Sequence, residues 1–511
     1  MKKSVLILFC LAFFSGCNRD FLNKNPKETS SLNQLFATPE DLALAVNGIY
    51  DVFQGTIWGG SFFHLRPHFD GVTEDAIFCC PWEGSYQILA QGAITPSSGG
   101  IVDYIWDFGY KGISRANAVL ANINRTDIVI PPNTRAKFEG ETRFLRALMY
   151  FELANNYGDV PLLLAPVERK KSRVARTPKS QVIDSVIADL DIAIANLETT
   201  PFNGQIGRPT KQSALGLKTR VLLYNKKWIE AAATAKQVMD MEADGTVALS
   251  SNYEGLFNGT NKADKEVLFD VQFLAPKVGE GNYLGESYGL LGADNGSGWG
   301  SLSYQETMFD AFYMKDGKPI TSSPMYDATN PYANRDPRFY WSFFVPGYGS
   351  WQGKPYTENN YAGLIADLPI NTKKWVTEKD LNFVEEGNAN LIILRYADVL
   401  LMYAEAQNES DVRDATVYAA INKIRSRAQM PDIQPGLSKD QMTDVIRHER
   451  KVEFSQEGLR YHDLVRWGIA EQLINANKRE TRNYKFEVNK VLPIPQSEMD
   501  ANPNLVQNPG Y

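Results

Sequence analysis

LIILRYADVLLMYAEAQNESDVRDATVYAAINKIRSR, residues 391–427, is the stretch that decides the fold. Apolar residues recur there at steps of three and four, at Leu394, Ala397, Leu401 and Ala404, which predicts a helix with one apolar face. The pattern breaks at 408–412, and a second helix is expected to follow. Its predicted inner face is Ala415, Tyr418, Ala419, Ile421 and Ile424. Small alanines let paired helices approach closely, so the stretch predicts a helix–turn–helix repeat.

Two segments of similar sequence occur earlier in the chain. RFLRALMYFELANNYG surrounds Tyr150, and GLKTRVLLYNKKWIEAAATAKQVM surrounds Tyr224. The two tyrosines are 74 residues apart, about two tetratricopeptide periods of roughly 34 residues. We therefore expect a mostly α fold, in which a tetratricopeptide-like helical array packs against an irregular, loop-rich half with short strands. The alternative is a set of unrelated amphipathic helices.

Composition excludes some classes of function. The chain has 511 residues, 43% of them hydrophobic and 22% charged, as in ordinary globular proteins. Its formal net charge of −7 argues against nucleic acid as a partner, since a phosphate-binding groove needs clustered Lys and Arg. Aromatic residues make up 12%, and many lie outside the helical text.

The first sixteen residues have the pattern of an export signal. Lys2 and Lys3 precede an apolar run that is too short to span a bilayer. Ser15 and Gly16 then precede Cys17, which resembles a bacterial lipobox. On that resemblance residues 1–16 are removed, Cys17 is lipidated and residues 17–38 form a tether, while secretion after ordinary cleavage is the alternative.

Two further cysteines, Cys79 and Cys80, are adjacent in the sequence. A disulfide between neighbours requires a strained peptide geometry, so we expect two buried thiols. Two cysteines do not make a zinc site, and no histidine has the spacing of a metal or triad motif, so no metal or other cofactor is predicted. Carboxylate pairs such as Glu74/Asp75 and Glu385/Glu386 do not reveal the separation that glycoside hydrolysis requires.

The character of the chain changes twice. Residues 39–249 have the hydrophobic periodicity of helices. Glycine, asparagine, proline and aromatic residues dominate 250–390, and predicted helices followed by a proline-rich tail occupy 391–511. A long irregular insertion inside a helical array is more often a functional segment than a simple linker between helices.

Taken in order, the motifs resemble the SusD/RagB family of Bacteroidota outer-membrane lipoproteins. They are the lipobox and CNRDFLNKNP, RANAVLANI, GETRFLRALMYFELANNYGDVPLL, GRPTKQSALGLKTRVLLY, NRDPRF, ILRYADVLLMYAEAQNE, ERKVEFSQEGLRYHDLVRWG and the closing LPIP…NPNLVQNPGY. The resemblance implies a non-enzymatic protein on the cell surface. It would bind an oligosaccharide, or less often a peptide, and deliver it to a SusC-like TonB-dependent transporter.

Aromatic residues in glycine-rich loops are the candidate ligand contacts, because sugars present flat C–H faces that stack on rings. The candidates are Trp58, Trp82, Tyr283, Tyr288, Trp299, Tyr304 and Trp351, with Tyr348 in the same class. The family often builds its site from the loop after the first helix and from the irregular half, which favours Trp82 and residues 283–304. A scaffold that grips another protein in the concave face of the repeats is the alternative function.

Overall fold

The computed structural model describes residues 36, 38–55, 60–80, 84–125, 129–168, 171–274, 281–290, 298–351, 353–357, 368–377 and 387–511. Within these ranges the fold is mostly helical, as predicted. The α-helices are α1 Pro39–Tyr50, α2 Gly84–Ala90, α3 Ile101–Asn122, α4 Pro132–Tyr157, α5 Lys179–Asn196, α6 Lys211–Tyr224, α7 Trp228–Asp240, α8 Leu284–Tyr288, α9 Glu306–Phe309, α10 Pro337–Ser342, α11 Tyr396–Glu409, α12 Ala415–Arg427, α13 Lys439–Glu453, α14 Arg460–Trp467, α15 Ala470–Asn475, α16 Phe486–Asn489 and α17 Gln496–Ala501.

The described strands are short and pair two by two, each pair antiparallel. They are β1 Ala76–Phe78 with β3 Leu302–Tyr304, β2 Val267–Val271 with β8 Leu391–Arg395, β4 Phe343–Phe344 with β7 Asn371–Thr372, and β5 Ser350–Trp351 with β6 Lys354–Pro355. Segments of 3₁₀ helix occur at Arg66–Val72, Phe202–Gly204 and Glu254–Leu256. The first two strand pairs therefore join segments that are far apart in the sequence, and each pair is a sheet of only two strands.

The quoted stretch differs from the prediction at its start. Residues 391–395 form β8, and α11 begins only at Tyr396. All five residues of β8 are buried, so both faces of this strand contact the core. A continuous apolar run has no hydrophobic periodicity, and the sequence therefore does not show whether it forms a strand or a helix. In α12 the inner face includes Val417 and Ala420, whereas Ala415 and Ala419 are exposed, because the helix is turned slightly from the predicted orientation.

The helices form one continuous array. Helices α3 to α7 pack in succession, α7 packs against α11, and α11 contacts both α12 and α13. The irregular part is thus inserted between α7 and α11 without separating them. Among the described helices, none has the length and apolar character that a bilayer crossing requires.

Buried ion pairs connect the irregular part to the last helices. The guanidinium of Arg395 lies 2.6 Å from Glu453 and 2.7 Å from Glu266, and it also binds Glu457 at 2.8 Å. Arg338, from α10, reaches Glu453 at 3.0 Å. The charged side chains of the motif ERKVEFSQEGLR, residues 449–460, that form these ion pairs therefore have a structural role.

The first and last described residues pack more closely than predicted. Thr38 caps α1, its side chain accepting a hydrogen bond from the amide of Asp41, while Phe36 in the predicted tether is already buried. The tail, expected to lack helix, contains α17 and is held where Asn508 donates to the carbonyl of Tyr157 at 2.9 Å. Cys17 lies outside the described residues.

Candidate functional site

Pairing of β1 with β3 brings together the two parts of the chain that supply the predicted site. Ala76 lies opposite Tyr304, and Phe78 opposite Leu302. The segment after the first helix, residues 60–80, thereby lies against residues 298–304 of the irregular part. We call the surface formed by residues 79–80 and 298–301 the β1–β3 end.

Beneath this end lies a layer of buried polar contacts. Three tyrosines of the irregular part reach three polar side chains: Tyr283 Oη lies 2.8 Å from His64 Nδ1, Tyr288 Oη lies 2.6 Å from His68 Nδ1, and Tyr304 Oη donates to Asp70 Oδ2 at 3.0 Å. A buried hydroxyl is stabilised only when it is hydrogen-bonded, so these contacts fix the two segments in register.

Four of the seven aromatic candidates are therefore not at the surface. Tyr283, Tyr288, Tyr304 and Trp351 are 5%, 2%, 1% and 1% exposed. The prediction that they stack on a ligand is wrong for this structure, because their ring faces are covered by protein. Trp351 packs edge-on against Phe344, with ring centroids 5.0 Å apart.

Trp299 is the described candidate that keeps part of its surface. It is half-buried at the β1–β3 end, where its amide donates to the carbonyl of Glu286 at 2.7 Å. Its carbonyl oxygen lies 3.9 Å from Sγ of Cys79. Tyr348 is also half-buried, but its ring stacks on Tyr340 with centroids 4.8 Å apart.

The two adjacent cysteines are joined in a disulfide, contrary to the expectation of two thiols. They follow directly after β1, and the amide of Cys79 donates to the carbonyl of Ser301 at 3.1 Å. The export signal predicted for residues 1–16 would bring the chain into an oxidising compartment, which permits the bond. The disulfide lies beside Trp299. The sequence drew attention to this segment only through its adjacent cysteines, and it did not indicate that Trp299 is close to them.

Trp82 and Trp58 lie outside the described residues, as do Glu385 and Glu386. Trp82 is two residues beyond the disulfide, so its chain position is next to the β1–β3 end. Its role in ligand binding stays a prediction.

The carboxylates near β1 are neutralised by cations. Glu74 lies 2.6 Å from Arg460 and 3.2 Å from Lys451, and Asp75 lies 2.5 Å from Lys451. Burial by itself raises the pKa of Glu74, but the two cations outweigh it and lower the pKa to about 2. Two carboxylates that share the same pair of cations are not placed as the acid and base of a glycosidase.

The pKa of Asp70 shifts in the opposite direction from that of Glu74. Burial raises its pKa to about 7, although Tyr304 and the amide of Gln456, which donates at 2.7 Å, favour the charged form. His64 borders a small cavity of about 20 Å³, room for a single water. Burial lowers the pKa of His64 to about 3 and that of His462, on the same cavity, to about 4. Both imidazoles are therefore neutral at pH 7.

The described part of the chain contains no group of three or more His, Cys, Asp or Glu side chains placed to hold a metal ion. His64 and His68, the one histidine pair at close spacing, contact different tyrosines. What the β1–β3 end offers is a half-buried indole beside a disulfide on a rigid support. Such a surface suits stacking and apolar contact.

Two family descriptions match the sequence. One, "SusD family", matches residues 265–511, and the other, "Starch-binding associating with outer membrane", matches residues 20–223. A curated relative, SusD-like protein P25 of Formosa agariphila, is 25% identical over the full length of both chains.

Solved structures share the fold. A SusD-like carbohydrate binding protein from Bacteroides fragilis superposes with a TM-score of 0.81 at 24% identity, over 92% of this chain and 100% of the other. Surface glycan-binding protein A from Bacteroides thetaiotaomicron, in complex with laminarihexaose, gives a TM-score of 0.72 at 21% identity, over 92% and 100%.

Proposed function

Because the chain belongs to the SusD family, we propose that it is a lipid-anchored outer-membrane protein that binds oligosaccharide at the cell surface. On this proposal it delivers the ligand to a SusC-like TonB-dependent transporter for nutrient uptake. Its relatives' names support the carbohydrate ligand, since one solved neighbour holds laminarihexaose. Which oligosaccharide this chain binds depends on its own loops.

The observation that carries the proposal is the position of Trp299. A partly exposed indole on a loop offers apolar surface on which the C–H face of a sugar can pack. Its support is rigid, because the amides of Trp299 and Ser301 both donate to carbonyls of the segment containing α8. A rigid indole binds a sugar face with little loss of conformational freedom.

The test is calorimetric titration of a panel of neutral oligosaccharides, namely laminarihexaose, maltohexaose, cellohexaose and xylohexaose. We expect at least one to bind, and Trp299→Ala to weaken that binding by about 1–3 kcal/mol, which corresponds to roughly 5- to 150-fold. The melting temperature should change little, because the helical array does not depend on this ring.

Trp228→Ala is the matched control, since Trp228 is half-buried on α7, away from the β1–β3 end. It should lower the melting temperature and leave affinity unchanged. If Trp299→Ala behaves like this control, Trp299 is a packing residue. If no neutral oligosaccharide binds while a peptide library does, the ligand is peptide and the carbohydrate proposal is wrong.

We further propose that the protein does not alter its ligand. Glu74 and Asp75, the carboxylates nearest the β1–β3 end that could resemble an acid–base pair, are bound to Lys451 and Arg460. Incubation of the purified protein with the best-binding oligosaccharide should release no shorter product by chromatography. Hydrolysis that disappears in Glu74→Gln would contradict this proposal.

A further inference from the structure

A groove distinct from the β1–β3 end lies between α1, the segment 205–208 and the residues after β2. It has two parts, of about 370 Å³ and about 260 Å³, which share Ile206, Gly207, Arg208 and Asp270 in their walls. No residue of the 60–80 or 298–304 segments lines either part. The larger part has the size of an ordinary small-molecule site, roughly 300–1,000 Å³.

Four amide side chains line the larger part, and one end of each is held in place. The bonds are Arg208 Nη2 to Asn47 Oδ1 at 2.7 Å, Arg208 Nε to Gln205 Oε1 at 2.5 Å, Gln54 Nε2 to the Gln272 carbonyl at 2.7 Å, and Gln272 Nε2 to Asp270 Oδ1 at 2.5 Å. These bonds determine which end of each amide is left for another partner.

The other ends make no hydrogen bond to any residue that the structure describes. They are two donors, Nδ2 of Asn47 and Nε2 of Gln205, and two acceptors, Oε1 of Gln54 and Oε1 of Gln272. A sugar hydroxyl both donates and accepts, so it can satisfy either kind of end. An anion would satisfy only the donors, and a cation only the acceptors.

The charged side chains in the walls of the larger part have partners of their own. Arg208 pairs with buried Glu141 at 2.5 Å, which also accepts from the hydroxyl of Tyr50. Asp270 is 5% exposed and accepts hydrogen bonds from Gln272 and Asn390, and burial raises its pKa to about 6. The larger part therefore presents an ionic ligand with neither a bare cation nor an exposed carboxylate.

The groove also has apolar surface. Ile206 is 53% exposed between the two parts, and the half-buried ring of Tyr50 lies beside Phe53, with centroids 6.3 Å apart. A pyranose has hydroxyls around its edge and C–H groups on its faces, so it matches amides and a ring in one site.

We propose that this groove is a second carbohydrate subsite, which takes an uncharged sugar unit. The proposal rests on the proposed function in that the protein handles carbohydrate, but it concerns different residues. Because Ile206 and Gly207 border both parts, a ligand of more than one sugar unit has room to continue from the larger part into the smaller.

The test is saturation-transfer NMR on the full chain carrying Cys17→Ala. The probes are glucose, galactose, laminaribiose, maltose, cellobiose and xylobiose, with glucuronate as the charged comparison. The groove variant is Asn47→Ala/Gln205→Ala, which removes both donors at exposed positions and leaves the core intact. Gln434→Ala, an amide on the loop before α13, is the matched control.

We expect the signal of at least one neutral sugar to fall about fivefold or more in the groove variant and to persist in the Trp299→Ala and Gln434→Ala variants. If Trp299→Ala removes every signal and the groove variant removes none, the subsite is wrong and the proposed function stands. If the groove variant removes the signals and Trp299→Ala does not, the subsite stands and the β1–β3 end is wrong. Dependence of glucuronate alone on the groove, or no groove-sensitive signal, contradicts the subsite.

Discussion

At the residue scale, Asp398 shows how single buried charges hold the array together. It is 1% exposed and lies between two arginines from different parts of the chain, Arg220 of α6 at 2.7 Å and Arg450 of α13 at 2.8 Å. Burial by itself raises the pKa of Asp398, but the two guanidiniums outweigh it and hold the pKa well below its usual range. One carboxylate therefore joins the early helices to the late ones.

Asp398→Asn should lower the free energy of unfolding by about 3–5 kcal/mol, because it leaves two arginines buried without their counter-charge. Urea unfolding followed by circular dichroism measures the change. Asp240→Asn is the matched control: Asp240 pairs with Lys236 on an exposed helix face, and its loss should change stability by less than about 0.5 kcal/mol. Equal effects of the two substitutions would contradict the structural role of Asp398.

At the scale of elements, the short strands position the candidate site. β1 and β3 contain only three residues each, so their hydrogen bonds alone give little stability. Close packing compensates, and Gly71 is central to it. A Cβ on Gly71 would lie 2.5 Å from Cζ of Phe78 and 2.6 Å from Cδ2 of Leu302, one residue from each strand.

Gly71→Ala should therefore destabilise the protein by about 1–3 kcal/mol and weaken ligand binding, because β1 and β3 must move apart. Gly48→Ala is the opposite case. Gly48 lies inside α1, and an added methyl group would have no described atom within 4 Å, so alanine should stabilise the helix by about 0.4–1 kcal/mol. Thermal melts and calorimetric titration of both variants check the pair, and a stabilising Gly71→Ala would mean that the strands are not tightly packed.

At the scale of the whole molecule, buried neutral histidines make stability depend on pH. In the unfolded chain His64 and His462 have a pKa near 6.5, whereas burial lowers the folded pKa to about 3 and about 4. The unfolded state therefore takes up protons first, and stability that is full above pH 6.5 is lost as the pH falls toward the folded values. Asp70 and Asp270, whose folded pKa values are about 7 and about 6, act in the opposite direction.

We expect the free energy of unfolding to be lower at pH 5.0 than at pH 7.5, with each histidine contributing on the order of 2 kcal/mol. His462→Gln should reduce the difference, and Asp70→Asn should enlarge it, since that substitution removes one of the two offsetting carboxyl groups. Urea unfolding at the two pH values measures both. An unchanged difference in His462→Gln would show that His462 is protonated in the folded protein.

The attachment of the whole molecule to the membrane is predicted to depend on Cys17. Several acyl chains on one residue anchor firmly, because each buried methylene contributes about 0.8 kcal/mol. Cys17→Ala should move the protein from the membrane fraction to the soluble fraction, as measured by immunoblotting. A mutant that still pellets with outer membrane and resists a salt wash is held by something other than lipid.

The sequence by itself determined what depends on neighbours along the chain. The period of three to four residues located α11, α12 and the earlier helices. The order of motifs over the full length identified the family. These signals are local, so they need no knowledge of what packs where.

Only the tertiary structure decided matters that depend on residues far apart. Residues 391–395 became a strand because β2, more than a hundred residues earlier, supplies its partner. Tyr304 became a core residue, with its hydroxyl donating to Asp70, while Trp299, five residues earlier in the sequence, stayed only half-buried. From the sequence alone, an aromatic residue in a glycine-rich loop looks the same whether folding buries it or leaves it exposed, because its burial depends on the residues that pack around it.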